Sequence, residues 1–470
     1  MKMDKTSAKI SFFGAAKGVT GSSYLLEVRG KKILIDCGLF QGLEHEKNLL
    51  PFPCQLKDIS YLILTHAHVD HCGRTPCLVR EGFKGKVVGT KPTLQLAKIM
   101  LLDAAKVMRE HYKTLYKKSK RKGLEPPPPP IYDEFDVVES FKYFQVETSY
   151  DKPIILSQER LKITFKDAGH ILGSSFLEIE DLETKKKILF SGDLGNKNKP
   201  IVNDYTYPSP DADFVLIETT YGDRDHKPFE ETKQEFLQVI LETFKRGGNV
   251  LIPTFALERA QELLFVLREF YDNGLLPPCY IFLDSPLAIK ATRIFLDNPE
   301  YFDEETLKVF RQKDPFNLPN LYMTEDIEES KAINSIKSMA IIIAGNGTLS
   351  GGRILHHLKY NLWREECSIV FVGFQPKGTL GRKLVDGEKM VHLFGEEIPV
   401  RAEIHTINGF SSHAGQKELK EWLFTLPNPE KIFLVHGEEE KMLIFKQAIK
   451  EKFPEKKIYI PTLMEEVPLY

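Results

Sequence analysis

Short apolar runs separated by glycine fill the first part of the chain. Ile10 to Phe13, Ser23 to Val28 and Lys32 to Asp36 read as strands, and Tyr61-Leu62-Ile63-Leu64 reads as a buried one bounded by Thr65. Between the first two lies Gly14-Ala15-Ala16-Lys17-Gly18-Val19-Thr20-Gly21-Ser22, a flexible loop able to approach a ligand closely. A helical pattern covers 93–122 and stops at Gly123. The prolines from Pro126 to Pro130 then form a stiff spacer within one domain, before a helix from about Asp133. Strands resume at Leu161 to Phe165, Ser175 to Ile179, Lys187 to Phe190 and Phe214 to Ile217. From about Phe229 the period changes. Helical patterns at 229–246, 257–273 and 286–297 alternate with buried strands at Val250 to Ile252, Tyr280 to Leu283, Ala340 to Ile343 and Ile369 to Val372. This alternation predicts a largely parallel sheet covered by helices on both faces. A helix from about Gln416, the strand Ile432 to Val435 and a last helix follow.

At 470 residues the chain exceeds one ordinary core, so two domains are expected. No apolar stretch approaches the roughly 20 residues that span a bilayer, and Met1-Lys2-Met3-Asp4-Lys5 lacks the apolar core of a signal peptide. Six cysteines, at 37, 54, 72, 77, 279 and 367, show no framework spacing. Reduced thiols and a cytoplasmic location are therefore expected. The net charge of −2 neither marks nor excludes a nucleic-acid binder. The basic run Lys117-Lys118-Ser119-Lys120-Arg121-Lys122 reads as a solvated helix end.

The candidate chemistry gathers where strands end. His66-Ala67-His68-Val69-Asp70-His71 directly follows the Tyr61–Leu64 run, so three imidazoles and a carboxylate sit on a short loop at a strand end. These donors suit zinc, and four of them exceed what one catalytic zinc takes from a protein. Asp36, His170, Asp193 and His436 each sit at or beside a strand end. Any one alone reads as structural; together they repeat one design. His392 and His405 read as structural, with no carboxylate pairing, and His356-His357 as a helix-surface pair.

The succession Asp36, HAHVDH, His170 and Asp193 resembles the motif series of the metallo-β-lactamase superfamily. The resemblance implies an αββα sandwich with two zinc ions at one edge. It assigns His66, His68 and His170 to one zinc, Asp70, His71 and His436 to the other, and Asp193 to both, with Asp36 orienting the histidine loop from behind. The long segment between Asp193 and His436, with Glu218 in Leu216–Gly222, His413 in Gly409–Gly415 and His436 in Val435–Glu438, resembles motifs A, B and C of the β-CASP nucleases. RNA-acting members carry His at motif C. The chain is most similar to the short bacterial type and to the endonuclease subunit of the eukaryotic pre-mRNA cleavage and polyadenylation machinery. The fold so implied is α/β: a metallo-β-lactamase sandwich over 1–216 and 399–470, with a parallel-sheet β-CASP domain inserted at 217–398.

The activity implied is zinc-dependent endonucleolytic hydrolysis of single-stranded RNA. Two metals about 3.5–4 Å apart share a hydroxide for in-line attack, leaving 5′-phosphate and 3′-hydroxyl ends. Asp70, Glu218 and His413 are the catalytic candidates, His413 as proton donor positioned by Glu218. Ser411 is a candidate for a phosphate hydrogen bond, and Ser350, Gly351, Gly352 and Arg353, opening a helix, for a second phosphate. No membrane partner is expected, and a homo-oligomer stays open. Two alternatives remain: a glyoxalase-like small-molecule hydrolase and a non-catalytic RNA-processing subunit.

Overall fold

The computed structural model describes residues 7–470; the signal-peptide reading of Met1–Lys5 falls outside them. The chain forms two compact units. One comprises the residues through Lys197 together with Asp204–Asp225 and His413–Tyr470; the other comprises Asn198–Asn203 and His226–Ser412. The sequence placed the crossings at 216/217 and 398/399, whereas the units divide mainly at 225/226 and 412/413.

The first unit holds two seven-stranded sheets. One runs Glu466–Pro468, Ala8–Gly14, Ser23–Val28, Lys31–Ile35, Ile59–Ile63, Lys86–Thr90, Phe144–Thr148 from edge to edge. The other runs Lys457–Tyr459, Lys431–Val435, Phe214–Glu218, Lys187–Phe190, Ser175–Asp181, Leu161–Asp167, Ile154–Leu156. Strand alternation builds the layers. Phe214 and Leu216 point inward with Phe12, Leu26 and Ile35 of the facing sheet. Their neighbours Val215 and Ile217 point outward, under Trp422 and Leu423 of helix Gln416–Phe424 and Phe445 of helix Glu439–Ile449. On the first sheet, helix Lys91–Arg121 covers the face opposite the sandwich core with Leu94, Leu96, Ala97 and Leu101. Thr90 caps it by accepting from Thr93 N, and its last turn carries the exposed basic run. These layers make the αββα sandwich. All six cysteines are free thiols, and no helix among the described residues is long and apolar enough to cross a membrane.

The second unit is a parallel six-stranded sheet in the order Leu321–Met323, Tyr280–Asp284, Ala340–Ala344, Val250–Pro253, Ser368–Phe371, Glu403–Thr406. Its central strands are continuous apolar runs because helices cover both faces. Three sequence readings need correction here. His357 is buried rather than on a helix surface: its Nε2 lies 2.6 Å from Asp284 and its Nδ1 2.9 Å from Asn334. His392 and His405 do pair with carboxylates, Glu397 and Glu403, though neither joins a donor cluster among the described residues. His356 lies flat on Phe394.

Asp284 takes hydrogen bonds from Thr324, Ser330, Arg353 and His357. Burial opposes its ionisation, but these donors outweigh it and bring its pKa down to about 2. Asp284→Ala strands a buried imidazole and a guanidinium, so urea unfolding should show a loss of about 3–5 kcal/mol. The carboxylate is depressed in the folded state. Its contribution is therefore complete above the unfolded pKa near 3.9 and fades as pH falls toward about 2.

Candidate metal centre

Apolar strands stop where donors begin. Chain Ile59–Ile63 ends, Thr65 follows, and the second half of the HAHVDH segment is already the first turn of helix Val69–Cys72. Asp36 and His436, each ending a strand, hold left-handed backbone at φ 59° and 48°, a strained state for residues with a Cβ. Two glycines permit the close approaches that bring these loops together. A Cβ on Gly38 would lie 1.6 Å from the Asp70 carbonyl oxygen, and one on Gly195 would lie 1.7 Å from that of Gly169. The loop Gly14–Ser22 serves as scaffold. Ala15 O accepts from His436 N, Gly18 O from Gly437 N, and Ser22 N donates to Asp70 O.

All seven predicted donors converge. His66, His68, His170 and Asp193 form one group and Asp70, His71 and His436 another, each with donor atoms within 4.8 Å of one another. His68 Nδ1 stands 3.1 Å from His66 Nε2 and 3.3 Å from His170 Nε2, while His71 Nε2 stands 3.3 Å from His436 Nε2. Asp193 turns one oxygen to each group. Its Oδ2 lies 3.5 Å from His66 and 3.7 Å from His170; its Oδ1 lies 3.3 Å from His71 and 3.5 Å from His436. Oδ1 is buried with no hydrogen-bond partner, and ring nitrogens face one another. An atom so placed, among imidazole and carboxylate donors, fits a bound cation such as zinc.

Electrostatics agree with that use in the His66 group. Burial pushes His66 well below the ordinary histidine range and His68 down to about 4, which favours the neutral rings that ligate metal. Burial alone would raise Asp193, yet His436 and His71 hold it well below the usual carboxylate range. Asp36 lies behind the donor groups. It accepts from Thr65 N and Oγ1 at 2.8 Å each and pairs with His71 Nδ1 at 2.7 Å, leaving Nε2 toward the donor group.

Two hydroxyls were not singled out from the sequence: Thr65 Oγ1 lies 3.1 Å from His66 Nδ1, and Thr220 Oγ1 3.1 Å from His436 Nδ1. Thr65 directly precedes one quoted motif and Thr220 lies within another, and that placement was the available signal. Glu218, Asp193 and His413 form a third group. The fully buried Glu218 carboxylate accepts from Leu194 N and Thr220 N at 3.0 Å each and lies 3.2 Å from His413 Nδ1. Burial lowers the proton affinity of His413, but Glu218 and then Asp193 reverse the effect and raise it. Gly195 and His413 pair as an antiparallel bridge, which carries motif B to the Asp193 loop.

The remaining predicted residues lie in the other unit. Ser411 is buried there, its N donating to Asn408 O. Arg353 departs from expectation. Its guanidinium is turned inward to Asp284, Thr324 O and Glu325 O, which takes up the fork that a phosphate would need. At the same helix start, Ile354 N donates to Gly345 O, while Ser350 and Gly352 are exposed and Gly351 is half-buried.

The sandwich with donors at one edge defines a metal-dependent hydrolase. The chain matches the family described as Metallo-beta-lactamase superfamily over residues 16–241, the Beta-Casp domain over 260–384, and the Zn-dependent metallo-hydrolase RNA specificity domain over 397–461. It is 43% identical to Ribonuclease TTHA0252 of Thermus thermophilus, across 92% of this chain and 93% of that one. It is 32% identical to Transcription termination factor FttA of Methanocaldococcus jannaschii, across 98% of this chain and 71% of that one. A crystal structure of a protein of unknown function from Enterococcus faecalis V583 shares the fold, with a TM-score of 0.56 at 13% identity over 98% of this chain and 100% of that one. The chain belongs to the β-CASP family of the metallo-β-lactamase superfamily.

Proposed function

We propose that this protein is a zinc-dependent ribonuclease that hydrolyses single-stranded RNA at internal phosphodiesters, with two zinc ions, leaving 5′-phosphate and 3′-hydroxyl ends. Asp193 carries this reading, because its two oxygens face two separate imidazole groups. An RNA substrate is supported by the match to an RNA specificity domain and by the name of the Thermus relative. When bound, the ions would supply an activated water and neutralise charge on the scissile phosphate.

The chain's own residues divide the remaining work. His66, His68 and His170 would hold one ion, Asp70, His71 and His436 the other, and Asp193 both. Asp36 and Thr220 fix ring orientation through the Nδ1 atoms of His71 and His436. His413 would donate a proton to the departing 3′ oxygen, with Glu218 as its positioning residue. A non-catalytic subunit draws no support from a donor set complete at every position.

The test uses circular and end-labelled single-stranded RNA with zinc-loaded protein. Linearised circles carrying 5′-phosphates are expected, and a 2′-deoxy residue at the cut should leave cleavage intact. Circles that resist while linear RNA shortens from one end would overturn the internal cut. Products ending in 2′,3′-cyclic phosphate would overturn hydrolysis by water, since that end requires attack by the RNA's own 2′-hydroxyl.

A further inference from the structure

The sheet of the second unit has a switch point. The chain leaving Val250–Pro253 returns as Tyr280–Asp284, beyond Ala340–Ala344. The chain leaving Ala340–Ala344 returns in the other direction as Ser368–Phe371, beyond Val250–Pro253. Neighbouring parallel strands whose crossovers run in opposite directions send their helices to opposite faces. This opens a crevice at the strand C-termini, the usual ligand position in open α/β sheets.

Among the loops that leave that edge are Thr254-Phe255, the glycine-rich Gly345–Gly352, and Gly373-Phe374. Phe255 is 46% exposed. One edge of its ring, through Cε2, lies beside two glycine backbones: a Cβ on Gly347 would stand 3.0 Å from the ring and one on Gly373 would stand 3.5 Å away. The buried Gln375 amide donates to Gly347 O and Gly373 O, at 3.0 and 3.1 Å, and ties the two loops that hold these glycines together. Exposed Phe374 and Lys377 continue the same loop.

We propose that Phe255 stacks on a nucleobase of the RNA substrate and thereby helps select single strands. The inference rests on the RNA-hydrolysing reading above. A half-exposed aromatic ring held at one edge by two tied loops accepts any base through its π-face. In a duplex those faces are hidden, so this contact is open only to unpaired bases. Lys377 adds positive charge to the loop, which suits a phosphate backbone.

The test compares kcat/KM of zinc-loaded wild type, Phe255→Leu and Phe255→Trp on an intact RNA and on copies scanned with single abasic riboses. Leucine keeps an apolar cover over the glycines but loses the planar face. Phe255→Leu should cut intact RNA about 5- to 150-fold less efficiently, the equivalent of ~1–3 kcal/mol for one stacked base. Phe255→Trp should retain wild-type efficiency. One abasic position should reduce wild type by a similar factor and leave Phe255→Leu no worse. Equal loss for Phe255→Leu on intact and abasic RNA, or no loss at all, would overturn the stacking role. A wild-type protein that cuts no RNA would instead overturn the ribonuclease reading itself.

Discussion

Asp193→Ala is expected to purify with neither ion tightly held and with no measurable RNA cleavage. Each oxygen of this carboxylate faces a different histidine group, so one substitution removes a donor from both. It also strips the buried histidines of the negative charge that, on the proposed two-ion reading, would offset the two cations. Loss of a hydrogen-bonding partner behind a ligand typically costs about 10–100-fold in affinity or activity. Removal of a shared ligand should exceed that. Asp36→Ala supplies the comparison, because Asp36 touches His71 only through Nδ1. It should weaken one ion and leave partial activity. Elemental analysis of the purified variants, with circular dichroism to confirm folding, separates the cases. Two zincs retained in Asp193→Ala would remove Asp193 from the bridging position.

No single donor was legible alone; their recurrence at or beside the ends of buried strands, and the motif series that this recurrence resembles, brought them out together. Asp36 after Lys31–Ile35 and His436 after Lys431–Val435 stand out as polar residues where a buried strand meets its loop. The helices of the second unit were legible for a similar reason, since Phe229–Lys245, Arg259–Asp272 and Pro286–Leu296 keep helical period over their whole length.

What escaped depends on partners distant in sequence. His357 reads as a surface residue until Asp284, 73 positions away, meets its ring. Arg353 resembles a phosphate ligand until the same carboxylate turns it inward. Strands Lys86–Thr90 and Phe144–Thr148 are short, and the second alternates between exposed and half-buried positions. Lys86–Thr90 is fixed on one side by Ile59–Ile63, and Phe144–Thr148 becomes a strand by pairing with its other side, across the long helix between them. Thr65 and Thr220 were hidden differently: a hydroxyl has no periodic signature, and its role follows from which ring nitrogen it reaches.

The two late histidines should fail in different ways. His413→Ala is expected to keep both ions and lose turnover by roughly 10² to 10⁴-fold, the usual range for a missing general acid. His413 is held through Nδ1 by Glu218, whose other hydrogen bonds go to the backbone at Leu194 and Thr220. Removing the ring therefore leaves the seven donors in place. His436→Ala instead takes a nitrogen from the Asp70 and His71 group, and should release one ion while the His66 group keeps the other. Glu218→Gln divides positioning from proton donation. It keeps the shape but loses the charge that raises the proton affinity of His413, so kcat should fall while zinc content and KM hold. Metal content and single-turnover cleavage, measured on the same preparations, decide the matter. Zinc loss in His413→Ala with full retention in His436→Ala would mean that the two roles are reversed.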